Sequence, residues 1–257
     1  MKKITLFTLL TLSAIIINAQ DFQKFKIAAR FSPGIAWMKP DSKYITNEGN
    51  VARFGFGISM DIHFTENYAF GTGFEVTRMG GSLSYMSRDK YDNMDYTMMR
   101  NRDYRLQYAE IPLSLKLRTN EIGYITYWGQ FGIVPGVNIN SKGDETVDFI
   151  EEYDLVAGAW KTSEKATLNN EDEDIKNDIN IFRVGLLIGA GIEYSLSGNT
   201  ALHAGITYNN GFTDILDGEL LVTDESNIVE KDSNNNPVKN EMKAMSNIVQ
   251  LNIGIKF

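Results

Sequence analysis

Chemistry in this chain would have to come from a short list of side chains. The 257 residues hold two histidines, His63 and His203, and no cysteine, which rules out thiolate nucleophiles, disulfides and thiolate metal sites. No G-x-S-x-G stretch, H-E-x-x-H motif or P-loop occurs. Asp232-Ser233-Asn234-Asn235-Asn236 begins like a calcium loop, but Pro237 stands where that loop needs Gly and Lys243 where it needs a bidentate Glu. It reads as an exposed turn. Glu171-Asp172-Glu173-Asp174 offers hard oxygen ligands for a divalent cation. Four adjacent like charges also repel one another, and the run reads as a solvated loop. Four more residues, Arg30, Glu75, Glu110 and Gln130, belong to no motif. What they do depends on the elements that place them.

Those elements are strands of period two. In Ser246–Phe257, Val249, Leu251, Ile253, Ile255 and Phe257 share one face, opposed by Gln250, Asn252, Gly254 and Lys256. The same pattern runs through Phe25–Trp37, Phe54–Phe64, Tyr68–Thr77, Gln107–Arg118, Phe182–Leu196 and Leu202–Tyr208. Tyr124–Ile139 is the least regular, and Pro135 is expected to sit in a bulge there. The apolar faces are nearly free of charge. The opposite faces hold glycines, small residues and the charges: Lys26, Arg30, Asp61, His63, Glu75, Glu110, Lys116, Arg183, Glu193, His203 and Lys256. The glycines of these strands provide packing room there and are not phosphate cradles, because no helix follows them. Short links (65–67, 119–123, 197–199) alternate with long ones (38–50, 78–106, 140–180, 211–243). Together these features predict an all-β fold: an eight-stranded antiparallel transmembrane β-barrel with short periplasmic turns and long extracellular loops. Aromatics fall at both edges of the apolar band, Phe25, Phe64, Tyr68, Tyr194 and Phe257 near the short links, Trp37, Phe54, Phe182 and Tyr208 near the long ones. The alternative is a soluble calycin-like barrel, which would turn the apolar face inward.

Composition agrees with that fold. Lys2-Lys3, an apolar stretch to Ile17 and a small-residue site at Ala19 make residues 1–19 a cleaved secretory signal, leaving 20–257 as one barrel domain. The mean hydropathy of −0.24 fits strands with one polar face. Net charge is −8, and residues 141–180 alone carry twelve acidic and four basic side chains. With no basic stripe to displace counterions, nucleic acid is excluded as a partner. The expected location is the outer membrane of a Gram-negative bacterium. The expected partners are outer-membrane lipid and lipopolysaccharide; the strand ending in Phe257 resembles the closing strand of bacterial outer-membrane β-barrels, which implies that the barrel assembly machinery reads it.

Eight strands enclose a lumen that side chains can fill, so no diffusion pore is expected. Counted up from the short turns, Arg30, Glu75, Glu110 and Gln130 fall in one inward layer. Two carboxylates in that layer need a cation. Arg30 is the nearest, with Lys26 and Arg53 a step away, and the four are expected to form a structural lumen network. His63 and His203 face the lumen near the periplasmic turns. That is the wrong end for the His-dependent chemistry of barrel proteases and lipases, so no catalytic residue, cofactor or metal is assigned.

Tyr108-Ala109-Glu110-Ile111-Pro112-Leu113-Ser114-Leu115-Lys116 resembles the Y-x-E-I-P-L-x-L-K stretch of PorT-like outer-membrane proteins of the Bacteroidetes, and Ala19-Gln20, Tyr208-Asn209-Asn210-Gly211 and Phe257 agree with that family. The resemblance implies an outer-membrane barrel and no settled activity; the namesake is tied to secretion. The sequence therefore supports a non-enzymatic barrel whose loops, chiefly 78–106 and 140–180, meet a protein or envelope partner. The alternatives are an accessory of a secretion machine and, last, a barrel enzyme.

Overall fold

The computed structural model describes residues 24–223, 229–234 and 236–257; the expected signal, 1–19, lies outside them. Fourteen strands appear among these residues: β1 (Phe25–Pro40), β2 (Ile45–Gly49), β3 (Val51–His63), β4 (Tyr68–Tyr91), β5 (Met94–Glu110), β6 (Leu113–Arg118), β7 (Ile125–Asp154), β8 (Ala159–Thr162), β9 (Leu168–Asp174), β10 (Phe182–Ser197), β11 (Thr200–Gly211), β12 (Glu219–Leu221), β13 (Lys239–Glu241) and β14 (Ala244–Lys256). β1 pairs with β3, β3 with β4, β4 with β5 and β6, and both of these with β7. β7 pairs with β10, β10 with β11, β11 with β14, and β14 returns to β1. The antiparallel pairings thus form a closed ring of eight positions, with β5 and β6 sharing one.

The ring is staggered. From Lys26 the register passes through Asp61, Gly71, Ser114, Gly132, Leu187, Asn209 and Ile248, and it comes back to β1 at Ala36, ten residues further on. A stagger of this kind inclines the strands by roughly 35–45° to the ring axis. The alternation reads as expected. Ile27, Phe31, Ile58, Phe74, Phe131, Ile188, Ile206 and Ile253 are exposed on the outer surface, while Asp61, Glu110, Lys116, Glu193 and Lys256 are buried within. Aromatic pairs mark both edges of the band: Phe64 stacks on Tyr68 near a short turn, and Trp37 lies parallel to Tyr208 near the other end.

Three expectations need correction. Residues 78–106 are not a loop. β4 and β5 stay paired from Glu75–Glu110 out to Tyr91–Met94 and turn on Asp92 and Asn93, both at positive φ (48° and 64°), where short polar side chains are tolerated. Residues 140–180 are not a solvated loop either. β7 continues to Asp154 against β5, and β8 and β9 pair back onto it, so the run Glu171–Asp174 lies on β9. Pro135 makes no bulge, since the register is unbroken through it. The shift falls between Asn138 and Asn140, opposite Tyr108 and Gln107. What Pro135 does is withhold an N–H. Ile111 donates to the Pro135 carbonyl (3.0 Å) and receives nothing back. Pro112 has no donor of its own, and at this point one strand is divided into β5 and β6.

A closed ring with an apolar outer face predicts two outcomes. The protein is expected to fractionate with outer membranes and to run differently on a gel before and after boiling. A Cβ at Gly205 would overlap the Trp128 indole. Gly205→Val should therefore destabilise the fold by about 1–3 kcal/mol, read as a lower urea midpoint for loss of the fast-migrating band.

Candidate functional site

The lumen holds two ionic clusters at different heights. The lower one lies near the short turns. Asp61 on β3 and Glu193 on β10 are bridged by two lysines: Lys116 on β6 (2.9 and 3.1 Å) and Lys256 on β14 (2.5 and 2.9 Å). The second oxygen of Glu193 takes the Arg118 guanidinium at 2.6 Å, and Arg118 also lies 3.0 Å from His63 Nε2. Trp128 completes the cluster. Its ring stacks on His203 (4.8 Å), carries the Lys116 ammonium at 4.7 Å, and occupies the room left by Gly191 and Gly205. Both histidines are thus packed among cations and an indole, at the end of the ring where the sequence placed them.

Of the four network residues, Arg30 pairs with Glu75, with Gly57 beneath the pair leaving space for both side chains. Glu110 does not use Arg30. Its partner is Arg183 on β10, at 2.7 Å, which also donates to Asn209 Oδ1 (2.9 Å) and to the Ser246 carbonyl (3.0 Å). Arg53 is not a lumen residue at all; it reaches outward to Asp103 (3.2 Å). Gln130 faces inward, in register with Lys116 and Gly189, and joins neither pair. Arg30, Glu75, Glu110 and Arg183 fall on one line of register through Gly57 and Gly136, so each carboxylate has a cation of its own, whereas Gln130 lies six residues below Gly136 on β7. The lower cluster was in reach of the sequence: Asp61, Lys116, Glu193 and Lys256 are all inward and lie within a few residues of a short link or the chain end.

Above Arg183 the lumen turns apolar. Met38, Met79, Leu83, Tyr104, Leu106 and Tyr108 from the ring strands meet Ile175, Ile179, Ile215, Leu220 and Met242 from the connections, and all are buried. This core closes the wide-loop end. Beyond it, the extended β4–β5–β7 sheet, with β2, β8 and β9 at its edges, stands clear of the ring. Two of its arginines each hold two carboxylates: Arg100 bridges Asp89 and Glu145 (both 2.8 Å), and Arg102 bridges Glu145 (2.7 Å) and Asp178 (2.6 Å). The Asp172 N–H and then the Arg105 guanidinium hold the Asp144 carboxyl below its ordinary value. A small outer core of Tyr96, Met98, Val147 and Phe149 stiffens the sheet, and the tip leaves Leu155 (76%) and Val156 (98%) open to solvent. Among the described residues, no group of three His, Asp or Glu side chains is placed to hold a metal. Asp232 spends one carboxylate oxygen on the N–H groups of Asn234 and Asn236 (2.8 Å each), an ordinary side-chain turn.

Residues 18–217 match the family described as "Outer membrane protein beta-barrel domain". Among solved structures, the chain is similar to Neisserial surface protein A, with 12% identity over 91% of this chain and 96% of that one (TM-score 0.43). It is also similar to OprG from Pseudomonas aeruginosa, with 12% identity over 90% and 95% (TM-score 0.42). A third is Ail, the attachment invasion locus protein of Yersinia pestis, with 13% identity over 90% and 98% (TM-score 0.33). No curated protein matches the sequence.

The pairings in the upper cluster give a double-mutant test. Glu110→Ala is expected to lower the unfolding midpoint and to couple to Arg183→Ala by more than about 0.5 kcal/mol, because each alone strands a buried charge. Arg30→Ala should couple to Glu75→Ala in the same way and be additive with Glu110→Ala. Coupling of Glu110 to Arg30 in urea titrations would instead restore the layer read from the sequence.

Proposed function

The chain belongs to the outer membrane protein β-barrel family and resides in the Gram-negative outer membrane, and from this premise we propose that it is a non-enzymatic eight-stranded transmembrane barrel that works through its extracellular sheet. On this reading the short turns face the periplasm and the β4–β5–β7 extension faces outward, where it binds a protein or envelope partner. The observation that carries the proposal is the contrast between lumen and tip. Ion pairs occupy the lumen and an apolar core caps it among the described residues, which speaks against transport through the ring. The tip holds two adjacent bare apolar side chains on a sheet braced by a core of its own, which offers a partner a rigid apolar contact.

A second reading, an accessory of a secretion machine, rests on the PorT-like resemblance. The motif behind that resemblance is largely internal: Tyr108, Glu110, Ser114 and Lys116 are buried in the lumen. What it shares with that family is therefore the packing of a barrel wall, which favours the first reading.

Site-directed photo-crosslinking in intact cells separates the two. A crosslinker at Val156 is expected to capture a surface partner, and Leu155→Asp should abolish the adduct while leaving the heat shift on gels unchanged. A crosslinker at Asn120, in a short turn, is expected to give none. Adducts only at Asn120, to periplasmic subunits, would favour the secretion reading.

A further inference from the structure

On one side of the ring the outward side chains change character at a single level. Up β4 the outward series is Phe70, Phe74, Val76 and then Arg78. Up β5 it is Ala109, Gln107 and Arg105, and on β7 Val137 gives way to Asn140 and Lys142, which are in register with Gln107 and Arg105. Arg53, at the top of β3, reaches the same spot through Asp103 and the Tyr104 carbonyl (3.2 Å each). Arg53, Arg78, Arg105, Gln107, Asn140 and Lys142, with Phe54, line a hollow of about 310 Å³ in which Asp172 is the only acid against four cations. Three of the cations have carboxylate partners. Arg105 lies by Asp144 and Asp172, Lys142 lies 3.4 Å from Asp172, and Arg53 is held by Asp103. Arg78 has none. Its guanidinium lies 4.4 Å above the Phe54 ring, exposed and in no ion pair among the described residues.

We infer that this hollow is a binding site for the phosphate-bearing headgroup of an outer-leaflet lipid. A guanidinium presents a planar fork of donors that matches phosphate oxygens two at a time, and Arg78 has that fork free. The hollow sits where the lipid-facing band ends, so outward cations there lie at headgroup depth. Directly below it Phe56, Phe74 and Val76 form the outer wall, a track for acyl chains that a free phosphate ion cannot use. The inference gives the lipid partner expected from the sequence a site of its own, and it rests on the orientation proposed above. That orientation is tested separately by the whole-cell crosslinking at Val156, whereas a binding measurement in detergent is blind to it.

The test uses the full mature chain, refolded in detergent and checked by its heat shift. Native mass spectrometry titrates it with bis-phosphorylated lipid A, with the same lipid after phosphatase treatment, and with lipid A in the presence of millimolar sodium phosphate. The phosphorylated lipid is expected to bind, the dephosphorylated form at least tenfold more weakly, and sodium phosphate to displace little. Arg78→Gln should weaken lipid binding about tenfold, Arg78→Lys less, and the distant Lys239→Gln not at all. Because Arg78 has no ion pair to lose, these variants keep the fold. Equal binding by Arg78→Gln, equal binding of the dephosphorylated lipid, or full displacement by inorganic phosphate would each overturn the assignment.

Discussion

Lys256 and Lys116 lie between Asp61 and Glu193, and the closure of the ring depends on that four-centre contact. The four residues come from β14, β6, β3 and β10, strands spread around the whole circumference. Backbone pairing fixes each strand to its two neighbours only. The charges act across the lumen, and any other stagger would leave at least one of them buried and alone. The cost of such a charge is several kcal/mol, so the cluster selects one register from those that pairing alone would allow. Trp128 serves the same end with shape in place of charge, since it fits only where Gly191 and Gly205 leave room.

The two ends of the lumen are closed by different physics. Toward the short turns, strands within the membrane offer lipid mainly apolar side chains, so the charged groups are turned inward and pair there. Beyond the membrane the constraint reverses. The outer surface of β4, β5 and β7 meets water, and the inner surface becomes the only place to bury apolar groups. Along β4 the inward residues pass from Thr77 to Met79, Leu83 and Tyr85, just as the outward ones pass from Phe74 and Val76 to Arg78. β5 shows the same exchange, with Tyr104, Leu106 and Tyr108 inside and Arg105 and Gln107 outside. One continuous strand can thus build a membrane wall in its lower half and a soluble sheet over a core in its upper half.

That exchange explains which parts of the fold were legible in the sequence. Lipid enforces a two-letter code, so the faces of the alternating stretches and the inward placement of Arg30, Glu75, Glu110 and Gln130 could be read directly. Where the code inverts, the search for apolar-outward alternation fails. Residues 78–106 and 140–154 then look like loops, although Met79, Leu83, Leu106 and Val147 keep a period of two with the opposite sense. The Glu110–Arg183 pair was hidden for another reason. Height counted from a turn ignores register, and through Gly136 of β7 the register sets Arg183 in line with Glu110. Arg53 was misplaced because β3 parts from β4 above Gly55 and Thr77, after which parity no longer says which way a side chain leaves the sheet.

A sheet that stands clear of its ring has exposed edges, and the composition of those edges bears on how it can meet a partner. β2 is five residues long and carries Asn47 and Glu48; β8 is four residues long. β9 pairs with β7 on one side only, and it is there that Glu171, Glu173 and Asp174 lie, with Asp172 at positive φ (56°) breaking the extended geometry. Short, charged and distorted edges resist the addition of another strand. An acidic run on such an edge is a known way of discouraging strand addition and needs no metal ion to act so. With its edges blunted in this way, the sheet can engage a partner only through side chains. The bare apolar ones, Leu155 and Val156, are in the hairpin turn between β7 and β8, as far from the ring as the sheet extends.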